Sequence, residues 1–123
     1  MPFPQPHFIE TNGLRMAVYE QGDKAAMPVV MCHGFPEIGY SWRHQLPAVA
    51  SAGFRAIAPD QRGYGFTDGP KGEENIPLYD MEHLTADLVG LLDALEIEKA
   101  IFVGHDWGGI VSWQIPLRYP DRV

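Results

Sequence analysis

The chain has 123 residues, of which 46% are apolar and 20% are charged, a composition that fits one small globular domain. Its formal net charge of −7 argues against a nucleic-acid-binding or anionic-membrane surface. A single cysteine, Cys32, excludes an internal disulfide, and no signal peptide or membrane-spanning run is visible, so a cytoplasmic protein is expected.

The first half of the chain predicts a hairpin followed by buried strands. Residues 1–7 are rich in proline and are expected to be irregular. Asn12-Gly13 separates FIET from LRMAVYEQ and is a strong signal for a two-residue hairpin turn. Short continuous apolar runs, typical of parallel strands covered on both faces, occur at 28–32 (with Cys32 expected to be buried), 54–59 and 99–104.

Helical patterns separate these runs. A helix within residues 41–52 is expected to carry Pro47 in its first turn and to stop at Gly53. The last of the three predicted helices is expected to start near Gly108 and to end before Pro120. The clearest pattern is 80–96, with Asp80 as N-cap and one apolar face formed by Met81, Leu84, Leu88, Leu91, Leu92 and Leu95.

The order of elements, a hairpin followed by three strand–helix units, predicts an α/β fold with a mostly parallel sheet and flanking helices. Ligands in such sheets gather at the carboxyl ends of the strands. The segments expected to meet there are 33–36, 60–63 and 104–107.

Asp106 lies between Gly104 and Gly108, directly after the last apolar run. An aspartate at this place is most simply a helix N-cap. The flanking glycines favour another interpretation, a tight strand-to-helix turn that strains the central residue and lifts its side chain into the open. A dinucleotide-binding fingerprint is excluded because Asp106 occupies the place of its second glycine, and GYGFTDG at 63–69 has Asp68 in place of its third.

A carboxylate at such a turn has distinctive chemistry. It is ionised at neutral pH and can displace a leaving group from an sp³ carbon, which gives an alkyl ester on the enzyme. Water must then attack the carboxyl carbon of Asp106, and this step needs a general base and an oxyanion hole. The backbone N–H of Trp107 and an N–H from the loop near Phe35 are the expected donors.

Three motifs together carry a family resemblance: HGFPE (33–37), DQRGYGFTD (60–68) and GHDWGG (104–109). In this order they resemble the epoxide hydrolases of the α/β-hydrolase superfamily. The resemblance implies that residues 1–123 are the N-terminal part of a hydrolase core that opens an epoxide to a vicinal diol. It implies an epoxide and water as partners. No metal-ligand spacing appears in the sequence, and no cofactor is expected.

The resemblance also implies a role for each matching residue. Asp106 is the expected nucleophile, and the backbone amides of Phe35 and Trp107 form the expected oxyanion hole. Phe35-Pro36 is expected to be cis, and Asp60 and Arg62 are expected to belong to a structural loop. The other positions expected to shape or support the pocket are His33, Gly34, Pro36, Gly104, His105 and Gly108.

The remaining parts of the implied mechanism match nothing in this chain. They are two cap tyrosines, a late histidine base and a late acidic residue, all expected beyond Val123. None of the five histidines is expected to be the base, and neither Tyr40 nor Tyr64 matches a cap tyrosine. Residues 1–123 alone are therefore expected to be inactive and unstable, with an unpaired apolar edge at strand 99–104.

Two other functions remain open at this stage. Haloalkane dehalogenases resemble this chain but commonly have Asn where it has Phe35, and fluoroacetate dehalogenases usually have Arg where it has Trp107. A non-catalytic binding protein on the same scaffold would keep the pocket and lack the chemistry.

Overall fold

Five strands form one sheet in the computed structural model, which describes residues 3–123. The strands are β1 (His7–Thr11), β2 (Leu14–Gln21), β3 (Pro28–Cys32), β4 (Arg55–Pro59) and β5 (Ile101–Gly104). The helices are α1 (Gln45–Ser51), α2 (Met81–Ala94) and α3 (Trp107–Arg118), with short 3-10 segments at Gly39–Trp42, Glu73–Tyr79 and Pro120–Arg122.

The sheet is mixed, in the order β1-β2-β4-β3-β5. Strand β2 is antiparallel to both of its neighbours, whereas β3 is parallel to β4 and β5. Val30 at the centre of β3 lies opposite Ile57 on one side and Phe102 on the other. Because β3, β4 and β5 run in the same direction, the loops that follow them leave from one edge of the sheet.

The predicted hairpin is present. Asn12 and Gly13 have φ angles of 50° and 79°, the left-handed conformation that a tight two-residue turn between twisted strands requires. The irregular segment predicted for residues 1–7 is one residue too long, because His7 already begins β1 and its Nε2 contacts Glu20 at 2.6 Å. Residues 1 and 2 lie outside the described residues, and 3–6 form neither helix nor strand.

The helices begin and end close to the predicted residues. The Asp80 carboxylate accepts the His83 N–H at 2.9 Å and caps α2, as its position predicts. Helix α1 is shorter than the predicted segment, because residues 41 and 42 belong to a separate 3-10 turn. Gly53, with φ at 96°, follows the end of α1.

Alternation along β3 divides the core into two layers. Val30 and Cys32 point toward α2 and α3, where they pack with Leu88, Leu92 and other buried residues. Val29 and Met31 point to the opposite face and pack with Leu46 of α1. Cys32 is fully buried, and burial raises the pKa of its thiol to about 12. Burial on both faces explains why the β3 sequence is continuously apolar.

Strand β5 lies at the edge of the sheet, and β3 is its only hydrogen-bonded neighbour within residues 3–123. Ile101 and Val103 on this strand are 43% and 38% exposed. On the adjoining helix α3, Trp113 and Leu117 are each more than three-quarters exposed. The apolar edge expected from the sequence is therefore present.

Candidate active site

The turn between β5 and α3 places Asp106 at the carboxyl edge of the sheet. Asp106 has φ 57° and ψ −124°, a backbone conformation that residues other than glycine rarely adopt. The turn is closed by a hydrogen bond of 2.9 Å from the Gly108 N–H to the His105 carbonyl. This geometry agrees with the strained turn predicted from the flanking glycines.

Both flanking glycines are required by close backbone contacts. A Cβ on Gly104 would lie 2.6 Å from the Gly109 Cα, well inside the contact distance. A Cβ on Gly108 would collide with the backbone carbonyl groups of Cys32 and His33. The first turn of α3 can therefore pack directly against the end of β3, which brings the 33–36 loop next to Asp106.

The Asp106 carboxylate is exposed and does not cap its own helix through its side chain. Its Oδ2 accepts the backbone N–H of Phe35 at 2.9 Å. The Phe35 amide, and after it the Trp107 amide, hold the pKa of Asp106 below its usual range, with a smaller contribution from His105. The carboxylate is therefore an anion with one oxygen bound by the Phe35 N–H, and the simple N-cap interpretation is wrong.

The loop after β3 is shaped to reach this carboxylate. Its Phe35-Pro36 peptide bond is cis. A Cβ on Gly34 would lie 2.5 Å from the Asp106 Cβ, so only glycine permits this approach. Phe35 is 63% exposed, and Trp107, the residue after Asp106, is half exposed. The residues that follow Gly34 and Asp106 are thus both exposed aromatics.

Glu37 connects the loop to the strand–helix turn, and sequence reasoning assigned it no role. Its Oε1 accepts the Gly34 N–H at 2.8 Å and lies 3.2 Å from Nδ1 of His105. The Gly34 amide, followed by the His105 side chain, lowers the pKa of Glu37. The sequence signal that could have identified Glu37 was its position three residues after Gly34. In the structure, the Glu37 N–H closes a turn onto the Gly34 carbonyl. The ring of His105 thus contacts Glu37 from a position beside Asp106.

His33 is buried, and both of its ring nitrogens are engaged. Nε2 accepts the backbone N–H of Gln61 at 2.9 Å, and because an amide N–H can only donate, this nitrogen carries no proton. Nδ1 then donates to the Gly34 carbonyl at 3.0 Å. Burial lowers the pKa of His33, in agreement with this neutral form. The Gln61 side chain in turn donates to the His33 carbonyl at 2.8 Å.

The loop 60–68 after β4 is fixed by buried charges. Asp60 is fully buried and accepts the N–H groups of Gly39 at 2.7 Å and Phe66 at 3.1 Å. Arg62 donates two hydrogen bonds of 2.8 Å to the carboxylate of Asp87 on α2. Sequence reasoning did not single out Asp87, although an acidic residue beside Leu88 on the apolar face of α2 was a visible signal. Asp60 and Arg62 are thus occupied by structural contacts.

A cleft of about 270 Å³ opens beside this arrangement. Its walls are mainly apolar and include His33, Tyr64, Leu84, Trp107 and Val111. Tyr64 packs edge-on against the His33 ring, and burial together with the charge of Asp106 raises the pKa of its hydroxyl. The remaining histidines lie elsewhere: His7 on β1, His44 before α1, and His83 beside the cap of α2.

Residues 3–123 contain no group of three or more His, Cys, Asp or Glu side chains that could hold a metal ion. In the same part of the chain, every helix is too short or too polar to cross a membrane.

Comparison with known proteins decides the family. The sequence model described as the alpha/beta hydrolase fold matches residues 27–123, which is most of the chain. The chain belongs to the α/β-hydrolase fold family. The predicted fold class is therefore confirmed, and this α/β-hydrolase chain combines an N-terminal hairpin, a mixed five-stranded sheet and flanking helices.

Similar proteins of this hydrolase family are named epoxide hydrolases. Epoxide hydrolase A of Mycobacterium tuberculosis is 53% identical over the whole chain, which covers 37% of that protein. Epoxide hydrolase 3 of Siraitia grosvenorii is 50% identical over 94% of the chain and 35% of its own length. The chain thus spans about a third of the length of the curated relatives it matches.

Solved structures give the same result. Epoxide Hydrolase A from Mycobacterium thermoresistibile superposes with a TM-score of 0.92 at 52% identity, over 98% of this chain and 37% of that one. The epoxide hydrolase VrEH1 of Vigna radiata superposes with a TM-score of 0.90 at 44% identity, over 97% of this chain and 37% of that one. The resemblance to the epoxide hydrolases is thereby confirmed.

Proposed function

We propose that this chain is the N-terminal part of an epoxide hydrolase core and that Asp106 is its nucleophile. The observation that carries the proposal is the exposed Asp106 carboxylate, bound at one oxygen by the Phe35 N–H at 2.9 Å. The identity of about 50% to proteins named epoxide hydrolases supports the choice of substrate. Residues beyond Val123 would supply the cap tyrosines and the general base.

The first step is attack on an epoxide carbon by the free oxygen of Asp106, Oδ1. The amides that lower the pKa of Asp106 keep it ionised, so no base is needed to activate it. A new C–O bond forms as the epoxide C–O bond breaks, and the departing oxygen takes a proton from an acid outside this chain. Because Oδ2 is already bound by the Phe35 N–H, the carboxylate is oriented with Oδ1 available.

The second step is hydrolysis of the alkyl ester. Water attacks Cγ of Asp106, and negative charge develops on Oδ2. The Phe35 N–H already donates to Oδ2, and the Trp107 N–H, which also lowers the pKa of Asp106, is assigned as the second donor of this oxyanion hole. Glu37 supports this hole because it accepts the N–H of Gly34, the residue next to Phe35. Collapse of the intermediate releases the diol and restores the carboxylate.

The base for this second step is not assigned to any histidine of residues 1–123. His33 has no free lone pair, because Nε2 accepts the Gln61 N–H and Nδ1 carries the proton. The Nδ1 of His105 lies against Glu37, so that nitrogen faces a carboxylate rather than the ester carbon. A base from beyond Val123 completes the proposed mechanism.

Isotope labelling tests the ester route. The full-length protein is incubated with an aryl epoxide in ¹⁸O-labelled water through repeated turnovers. The mass of the peptide containing Asp106 is then measured by mass spectrometry. We expect ¹⁸O to enter the Asp106 carboxylate, because water attacks its Cγ. Label in the diol without label in Asp106 would mean direct attack of water on the epoxide and would overturn the proposal.

Two controls separate the alternatives. Asp106→Asn lacks the anionic nucleophile, and we expect neither turnover nor label from freshly purified protein. A chloroalkane offered to the wild-type protein tests the dehalogenase interpretation, which the apolar Phe35 side chain disfavours because it has no donor for a halide. Binding of the epoxide with no turnover would instead support a non-catalytic protein.

A cytoplasmic location belongs to the same proposal. Its support is the single cysteine of the sequence, which is free and buried at position 32, as suits a reducing compartment.

A further inference from the structure

The hairpin turn lies directly on a buried ion pair. The Asn12 side-chain Nδ2 donates to Oδ1 of Asp87 at 2.9 Å, and the same oxygen accepts Nη2 of Arg62 at 2.8 Å. The neighbouring Thr11 hydroxyl donates to the Asp87 carbonyl at 2.7 Å. The Asp87 side chain is only 2% exposed, so these donors provide most of its solvation. Asn12 therefore joins the turn, α2 and the loop 60–68.

The Asn12 side chain is also open to chemical attack by the next residue. Asn12 is exposed and is followed by Gly13, which has no side chain to shield its nitrogen. Nothing lies within 4 Å of the place where a Gly13 Cβ would be, and within residues 3–123 the Gly13 N–H donates no hydrogen bond. A backbone nitrogen without a hydrogen bond thus follows the side-chain amide of an exposed residue.

We propose that Asn12 is a deamidation site, and that its acidic product opposes the Asp87 carboxylate and weakens the attachment of the loop 60–68 to α2. The Arg62 guanidinium carries one positive charge, which the Asp87 carboxylate already balances. Its Nε and Nη2 already bind Asp87, and its Nη1 donates to the Leu78 carbonyl at 3.1 Å. Deamidation replaces the Asn12 Nδ2 donor at Oδ1 of Asp87 by a second carboxylate. Like charges that face each other are destabilising.

The reaction needs only water. The Gly13 nitrogen attacks Cγ of Asn12 and forms a C–N bond, while the bond from Cγ to Nδ2 breaks and ammonia leaves with the proton lost from Gly13. Water then opens the resulting succinimide at either carbonyl, which gives aspartate or isoaspartate. The net change is the exchange of an amide for a carboxylate, with one added negative charge.

Peptide mapping of the folded, full-length protein tests the chemistry. After incubation at mildly alkaline pH, we expect the tryptic peptide ending at Arg15 to gain the mass difference between an amide and an acid, in both aspartate and isoaspartate forms. Asn75, the only other asparagine, precedes the β-branched Ile76 and is the internal control. Asn12 that stays intact while a free peptide of residues 5–15 is converted would overturn the proposal.

Thermal unfolding tests the consequence. Asn12→Asp carries the acidic product homogeneously, and Asn12→Gly removes the hydrogen bond without a charge or strain at a positive φ. We expect the unfolding midpoint of Asn12→Asp to lie a few degrees below that of Asn12→Gly. Equal midpoints, or a higher one for Asn12→Asp, would show that charge opposition is absent. Wild-type protein deamidated after folding, separated by anion exchange, gives the same comparison if the variant does not accumulate.

Discussion

Asp106 and His33 are titratable residues with opposite environments at one end of the sheet. Asp106 is exposed and receives backbone donors, which favour its charged form. His33 is buried between Gln61 and Gly34, and this environment favours its neutral form. The two side chains therefore hold the loop 33–36 in different ways: one carboxylate accepts its Phe35 N–H, and one neutral ring accepts from and donates to backbone groups.

The pH dependence of stability tests the assignment of His33. Because burial lowers the pKa of His33 in the folded state, the unfolded chain binds a proton first as the pH falls. Stability is then retained above the unfolded pKa of about 6.5 and decreases as the pH falls below that value. We expect His33→Gln, whose side-chain oxygen can still accept the Gln61 N–H, to lose this part of the pH dependence.

The measurement is the urea midpoint of both proteins at about pH 8 and about pH 5.5, on either side of the reference pKa of histidine. The other four histidines are common to both proteins. A difference in how the urea midpoint changes with pH is therefore attributable to His33. The same change of midpoint with pH in both proteins would mean that the folded structure does not lower the pKa of His33.

At the scale of elements, the site depends on how closely α3 approaches β3. Two consecutive glycines follow Trp107 in the first turn of this helix, and their surroundings differ. A Cβ on Gly108 would collide with the backbone of Cys32 and His33, whereas a Cβ on Gly109 would meet the Gly104 carbonyl oxygen only at 3.6 Å, an ordinary contact. The three atoms nearest to a Cβ on Gly108 all belong to the backbone of Cys32 and His33, so no flexible side chain could move away.

We therefore expect Gly108→Ala and Gly109→Ala to have opposite effects. Gly108→Ala should destabilise the fold by about 3 kcal/mol, because α3 must move away from β3. Gly109→Ala should be neutral or stabilising by up to about 1 kcal/mol, because alanine favours the helix. Urea unfolding measures both values, and activity of the full-length protein should fall only for Gly108→Ala. A well-tolerated Gly108→Ala would contradict this packing.

At the scale of the whole molecule, the distribution of exposed apolar surface is uneven. Strand β1 exposes one large apolar side chain, Phe8, with the Arg15 guanidinium over its ring, whereas β5 exposes both Ile101 and Val103. Trp113 and Leu117 are also exposed, on α3, which covers the other face of the sheet. An unpaired strand with apolar side chains is a template for pairing with another chain.

A polypeptide of residues 1–123 is therefore expected to self-associate through β5. The double substitution Ile101→Lys and Val103→Lys should shift it toward monomer, because charges on an edge strand oppose pairing. The matched control is Ile38→Lys with Ile76→Lys, which changes exposed isoleucines by the same charge away from β5. Sedimentation velocity at several concentrations measures the association, and a wild-type monomer at all of them would contradict the expectation.

Much of the architecture follows from local sequence patterns. Asn12-Gly13 predicted the hairpin, continuous apolar runs predicted β3, β4 and β5, and Asp80 predicted the start of α2. Each of these signals acts within a few residues, through dihedral preferences, capping or periodic burial. The same signals placed three motifs at the carboxyl ends of parallel strands, and their resemblance to epoxide hydrolases gave the family.

The sequence by itself thus determined the elements, the family and the position of Asp106. Only the tertiary structure decided that its carboxylate accepts the Phe35 N–H, from a residue 71 positions away, rather than capping α3. It also placed Glu37 against His105 and Asp87 against Arg62, contacts that sequence reasoning missed. The physical reason is that hydrogen bonds between distant segments depend on sheet order and helix packing, which no local pattern encodes.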